Sequence, residues 1–243
     1  MKTLFLDFDG TLHETARVYG LALRSVYEEL TDDGLVPPHE ITDEMICSWL
    51  GTPYRYPWDQ MAPDLDDVLR DAAIREVGGR LDRLISDGQG RLFPGTEAVL
   101  DRLAADGWHM IILSNSAESY MDMNRRVYGL DRWFSDYVLI GDYPHCPTKG
   151  AMLAEYLREQ ANGEAPGCGV GAAGGRDGAG PEHCPGIVVG DRIYDLDAAK
   201  DCGLPCIGCL FGYAPEGELD SADLLISDIA ELPTALEKLL RRM

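Results

Sequence analysis

Thr3-Leu4-Phe5-Leu6-Asp7-Phe8-Asp9-Gly10-Thr11-Leu12 decides how this chain is read. The apolar run from Thr3 to Leu6 has the character of a buried strand. Two carboxylates, Asp7 and Asp9, stand where that strand ends, and Gly10 lets the backbone turn at once. Residues i and i+2 of a regular strand share a face, so the two acids repel each other. A divalent cation between them and a substrate relieves that repulsion, so the spacing predicts metal and chemistry. The inert alternative is a strand followed by an Asx turn, with Asp9 capping Thr11.

Three later segments favour chemistry. Trp108-His109-Met110-Ile111-Ile112-Leu113-Ser114-Asn115-Ser116 is an apolar strand running into small polar residues. Lys149 stands at the start of a helix-like segment, 150–160. Gly186-Ile187-Val188-Val189-Gly190-Asp191 is another strand ending in a carboxylate, and Asp195 follows four residues on. Ligands of open parallel sheets bind beyond the carboxyl ends of the strands. One fold can therefore gather all these polar residues.

The chain resembles the haloacid dehalogenase (HAD) superfamily in its phosphatase branch. The four motifs occur in order: Asp7-Phe8-Asp9-Gly10-Thr11, then Ser114 with Asn115, then Lys149, then Gly190-Asp191 with Asp195. Phe93-Pro94-Gly95 and Phe211-Gly212-Tyr213 are similar to phosphoglycolate-phosphatase-like members. Lys149-Gly150 departs from the Lys-Pro of many relatives. The resemblance implies a doubly wound parallel α/β core, Rossmann-like, with strand order 5-4-1-2-3.

The resemblance also implies roles. Asp7 attacks phosphorus; Asp9 serves as acid and then base. Mg²⁺ is expected on the Asp7 carboxylate, the Asp9 backbone carbonyl and the Asp191 carboxylate, because hard oxygens suit it. Ser114 and Lys149 are expected to bind the phosphoryl group, with backbone N–H groups of Phe8 to Gly10 and of Asn115. Thr11 and Asp195 are supporting residues, Asp195 orienting Lys149 or metal-bound water. On a helix Asp191 and Asp195 would lie one turn apart and face the same side. Arg192 is a possible helper; His13 and Glu14, at the entrance to the cap, are candidates to touch substrate, although entrance residues are more often solvated.

A dehalogenase does not need Asp9, so Asp9 favours phosphate. A phosphonate hydrolase would use a lysine within 14–88, and none is there. A phosphomutase uses the same two aspartates and stays open. A non-catalytic binding module is disfavoured by the intact motif residues. A Rossmann nucleotide binder lacks the Gly-x-Gly-x-x-Gly after the first strand.

At 243 residues the chain suits one domain with an insert. Helical patterning at Glu14–Leu30, Ile41–Leu50 and Leu65–Ser86, with no buried strand between, predicts a helical cap over 14–88. The core then comprises 1–13 and 89–243. Further strands are expected at Trp108–Leu113, Tyr137–Ile140, Ile187–Val189, Pro205–Leu210 and Leu224–Ile226. Residues 162–186 are glycine-rich and poor in large apolar groups, which predicts a mobile surface loop.

The formal net charge of −21 makes nucleic acid and anionic membranes poor partners. It also repels a phosphorylated metabolite at long range, so local cations are needed at the site. The chain has only four lysines, Lys2, Lys149, Lys200 and Lys238, so Lys149 stands out. No apolar stretch is long enough to span a bilayer, and Asp7 interrupts the first apolar run too early for a signal peptide. A cytoplasmic protein is the expectation. Cys206 and Cys209 lie three apart on one strand, hence on opposite faces, which predicts buried free thiols. His145, Cys146, Cys168, His183 and Cys184 lack a regular zinc spacing. Tyr54, Arg55, Tyr56 and Trp58 are candidates for a pocket or for the cap's own core.

Overall fold

A computed structural model describes residues 2–163 and 186–242. The first strand, Lys2–Leu6 (β1), lies inside the sheet. It pairs in parallel with Trp108–Ser114 (β2) on one side and Gly186–Gly190 (β4) on the other. Phe134–Leu139 (β3) lies beyond β2; Cys206–Cys209 (β5) and Leu224–Ile226 (β6) lie beyond β4. The order is β3-β2-β1-β4-β5-β6, with every pairing parallel. The doubly wound sheet is thus present, with a sixth strand added at one edge. Its strand order reverses between β1 and β4, the place where such sheets bind ligands.

Both faces of the sheet are covered, which is why its strands read as continuous apolar runs. Leu4, Leu6, Ile112 and Val189 pack against Thr96–Ala105 (α5) and Leu232–Leu240 (α9). Phe5, Ile111, Leu113 and Val188 face Lys149–Asn162 (α7) and Ile193–Asp201 (α8). Cys206 and Cys209 divide between these two layers, and both are free buried thiols.

Four helices fill the segment between β1 and α5: Thr15–Asp32 (α1), Asp43–Trp49 (α2), Tyr56–Met61 (α3) and Asp67–Ser86 (α4). They share an apolar cluster of their own, including Val18, Leu23, Ile46, Trp58, Val77 and Ile85. Thr42 and Asp66 start α2 and α4 by accepting hydrogen bonds from Met45 N–H and Val68 N–H. The segments entering and leaving this unit run side by side. Glu14 N–H donates to Arg91 O at 3.0 Å, and Phe93 N–H to Leu12 O at 2.9 Å. Glu118–Tyr128 (α6) supplies the neighbouring surface through Tyr120, Met123 and Tyr128.

The structure departs from the sequence expectation in a few elements. The short helix α3 was not expected; it starts with Pro57 in its first turn. α9 was not among the expected elements, and α8 was implied only by the helical spacing of Asp191 and Asp195. β3 begins three residues before the expected Tyr137, because exposed Ser135 breaks its apolar pattern, and its register with β2 shifts at Met110/Ile111. The expected glycine-rich loop falls largely on 164–185, outside the described residues. No helix among the described residues is long and apolar enough to cross a membrane.

Candidate active site

Strand register brings the polar tips level. Leu6 pairs with Ile112 and with Val189, so Asp7, Ser114 and Asp191 leave the sheet close together. Asp7 N–H still donates to Val189 O at 2.9 Å, which holds the β1 tip against β4. Carboxylate oxygens of Asp7, Asp191 and Asp195 lie within 4.8 Å of one another, and all three residues are buried.

Lys149 opens α7 behind the cap residue Thr148, whose hydroxyl accepts from Ala151 N–H. Its ammonium donates to Asp7 Oδ1 and to Asp195 Oδ1, each at 2.6 Å. Asp195 Oδ2 accepts from Arg192 N–H at 3.0 Å, so the carboxylate is fixed at both ends. Asp191 precedes α8 rather than lying on it, and the expected one-turn spacing with Asp195 does not apply. The two acids converge because Asp191 is the first residue after β4 while Asp195 is the third residue of the helix. Asp191 accepts from Thr11 Oγ1 at 3.2 Å and from Tyr213 N–H at 2.7 Å. Glycine is required around it: a Cβ on Gly10, where φ is +88°, would lie 2.2 Å from Asp191 Oδ2.

Burial dominates the electrostatics. It pushes the Asp7 carboxyl up to about 7, against the pull of the Lys149 ammonium. Burial and the charges of Asp7 and Asp195 hold Asp191 well above the usual carboxylate range. Burial alone would lower Lys149, but Asp195 and Asp7 outweigh it and keep the ammonium charged. One lysine faces three acids, so their ionised forms repel one another, and a cation would relieve that repulsion.

Asp9 turns its carboxylate the other way. Oδ1 accepts a 2.7 Å bond from the Tyr120 hydroxyl and another from Thr15 Oγ1. Burial raises its pKa, opposed by those two bonds. His13 is not the solvated entrance residue expected. It is completely buried, stacked on Phe8, and linked through Nδ1 to Thr15 Oγ1 at 2.7 Å and through Nε2 to the Tyr128 hydroxyl at 3.0 Å. Glu14 instead pairs with Arg91 at 2.6 Å.

A cavity of about 590 Å³ opens over these tips. Asp7, Asp9, Ser114, Asn115, Lys149 and Asp195 line its floor, and Tyr19, Trp58 and Arg75 belong to its helical wall. Ser114 does not cap the following helix, since Ala117 precedes α6; its hydroxyl accepts from Ser116 N–H at 3.2 Å. Phe8, Gly10, Thr11 and Asp191 are absent from the cavity wall. The Phe8 ring is buried in the core, and Gly10 N–H donates to His13 O at 3.0 Å, within its own turn. Arg192 is a strap: it bonds Glu218 at 2.9 Å and the Leu50 carbonyl, tying the α2–α3 connection to the sheet. Arg55 and Tyr56 are exposed and off the wall, whereas Trp58 serves both the cavity and the helical core. Thr15 and Tyr120 escaped the sequence reading, and Tyr213 entered it only within the Phe211-Gly212-Tyr213 resemblance, with no role at the site. Tyr213 accepts from Ala16 N–H at 2.9 Å while its own N–H holds Asp191.

Buried acids gathered at a switch point are the furnishing of an α/β enzyme. Residues 1–203 match the haloacid dehalogenase-like hydrolases, and the chain belongs to that family. A phosphoglycolate phosphatase of Agrobacterium fabrum is 27% identical over 242 residues, covering 97% of this chain and 93% of that one. Another, from Haemophilus influenzae, is 23% identical over 245 residues, covering 97% and 98%. Among solved structures, a variant of CbbY from Rhodobacter sphaeroides, in complex with xylulose-1,5-bisphosphate, shares the fold. It superposes with a TM-score of 0.71 at 21% identity over 95% of each chain. The chain therefore falls in the phosphatase branch that its four motifs indicate.

Proposed function

We propose that this chain hydrolyses a small-molecule phosphomonoester through an aspartyl phosphate on Asp7. The observation that carries the reading is the 2.6 Å contact of Lys149 with Asp7, set among buried acids whose oxygens lie within 4.8 Å. The phosphoglycolate phosphatase names of the two relatives support the same reaction class.

The acid cluster fits a hard divalent cation, because its donors are buried carboxylate oxygens whose ionised forms repel one another without one. In this reading the Asp7 carboxylate, the Asp9 backbone carbonyl and the Asp191 carboxylate hold Mg²⁺. When bound, the ion supplies positive charge for the phosphoryl oxygens. Asp195 holds Lys149, so its part is to keep the ammonium aimed at Asp7.

Asp7 attacks phosphorus in line with the leaving oxygen. Asp9 delivers a proton to that oxygen, then takes one from the water that cleaves the acyl phosphate. Its raised pKa suits a group that must start protonated. Thr15 and Tyr120 occupy Oδ1 and so leave Oδ2 for proton transfer. Ser114 and Asn115 bind the phosphoryl oxygens from the β2 tip, and Lys149 balances their charge.

In this reading residues 14–88 are a cap hinged at the paired segments around Glu14 and Arg91; residues 1–13 and 89–243 are the core. The free cysteines suit a reducing cytoplasm. A screen of phosphate esters with and without Mg²⁺ tests the function. Metal-dependent phosphate release that disappears in Asp7→Asn is expected. Release unchanged in that variant overturns the reading.

A further inference from the structure

Helix α4 carries two adjacent glycines, Gly78 and Gly79, in the middle of its 20 residues. Glycine is the least favourable helix-interior residue after proline. Packing does not require it here. A Cβ on Gly78 would meet no atom within 4 Å, and one on Gly79 only the tip of Arg83 at 3.8 Å. Both glycines face the cavity instead. Ile74, Gly78 and Asp82, with Arg75 and Gly79 beside them, recur four residues apart and all line it. The strip therefore has a hollow at its centre, where α4 presents bare backbone.

The groups around that hollow are aromatic or carry polar ends bonded to no described residue. Tyr19, Tyr54 and Trp58 belong to the same wall. The Tyr19 side chain is largely buried, which pushes its phenol up to about 12, yet its hydroxyl bonds to no described residue. Arg75 likewise forms no ion pair or hydrogen bond with a described residue. A cavity of about 590 Å³ is in the range of drug-sized ligands, far more than a two-carbon acid phosphate fills. An aromatic wall with a few polar groups selects a flat body with a polar edge.

We propose that the hollow over Gly78 and Gly79 seats a ring in the leaving group, so that the substrate is a phosphomonoester of an alcohol bearing an aromatic or heteroaromatic ring. One ring face lies on the glycine backbone, aromatic side chains flank it, and Tyr19 and Arg75 meet its polar edge. The inference rests on the phosphatase reading and adds the substrate class to it.

The test compares kcat/KM in Mg²⁺ for benzyl phosphate, uridine 5′-monophosphate, ribose 5-phosphate and phosphoglycolate, in wild type, Gly78→Leu and Tyr19→Phe. Wild type is expected to prefer the ring-bearing esters by about tenfold or more. Gly78→Leu should erase that preference, mainly through KM. Tyr19→Phe should weaken the nucleotide but not benzyl phosphate if the ring is a heteroaromatic base, and neither if it is a plain aryl group. Gly78→Ala should raise Tm by about 2–4 °C, because an unneeded glycine leaves the helix. That gain also shows the fold tolerates change at this position. A wild-type preference for phosphoglycolate or ribose 5-phosphate, or an equal loss on all four esters in Gly78→Leu, overturns the proposal. No turnover of any ester overturns the phosphatase reading and this proposal with it.

Discussion

The Lys149 ammonium and the Asp7 carboxylate meet at 2.6 Å in a site where both are buried. Asp195 grips the same ammonium, and Asp191 stands close by with no ion pair among the described residues. Lys149→Met should therefore remove activity and change how stability depends on pH. Burial already holds Asp7 at about 7, above its unfolded value near 4, so its ionisation opposes folding as pH rises through that window. Without the lysine that opposition grows. Melting curves without metal should show a larger Tm loss for Lys149→Met at pH 8 than at pH 5. An equal loss at both would mean the pair carries little charge coupling.

His13 gives a separate pH signature. Burial holds its imidazole at about 4, against 6.5 for a free histidine. The unfolded chain takes up the proton first as pH falls. Stability from this group is thus complete above pH 6.5 and drains away towards pH 4, by up to about 3 kcal/mol. His13→Gln should flatten the stability–pH curve across that window. A variant curve parallel to wild type would show that His13 does not titrate as placed.

Tyr120 and Thr15 hold Asp9 by the same oxygen, so removing one hydroxyl should disorder the acid without removing it. Tyr120→Phe should lower kcat by about tenfold on an alkyl phosphate, whose leaving group needs a proton. On p-nitrophenyl phosphate, whose leaving group needs little help, the loss should be about threefold or less. Equal losses on both esters would assign Tyr120 a purely structural part.

Gly150, the residue that departs from the Lys-Pro pattern, has a packing reason. A Cβ there would stand 2.4 Å from Asp201 Oδ2 and 3.2 Å from its Cβ, where α8 crosses α7. Gly150→Ala should cost about 1–3 kcal/mol by overpacking. Adding Asp201→Gly should recover much of it. Denaturant melts of the two variants check this, and a Gly150→Ala variant as stable as wild type would contradict the close crossing.

Much of this site was legible in the chain because the fold reads its own strand tips. Apolar runs broken by Asp7, by Ser114 and by Asp191 announce both the strand and the level at which it ends. Residues reaching the site from elsewhere leave no such trace. Tyr120 sits inside α6 with the spacing of any half-buried tyrosine, and only the packing of α6 turns it towards Asp9. His13 shows the opposite failure. Glu14 beside it suggests solvent, yet the antiparallel bridge to Leu92 buries it. β3 was misjudged at its start because edge strands need not bury both faces.

The most direct test of the central claim is a single turnover in heavy-oxygen water with enzyme in excess over substrate, followed by peptide mass spectrometry. Attack by Asp7 on phosphorus, then hydrolysis with water entering at phosphorus, predicts that the first turnover releases phosphate carrying one heavy oxygen from water and leaves Asp7 unlabelled. Unlabelled phosphate with the heavy oxygen on Asp7 would mean that the acyl bond breaks at carbon instead. A rapid acid quench distinguishes the covalent route itself, and the expected result is phosphate attached to the peptide that carries Asp7. Turnover at full rate with no phosphate on that peptide, while Asp7→Asn remains active, would contradict the account.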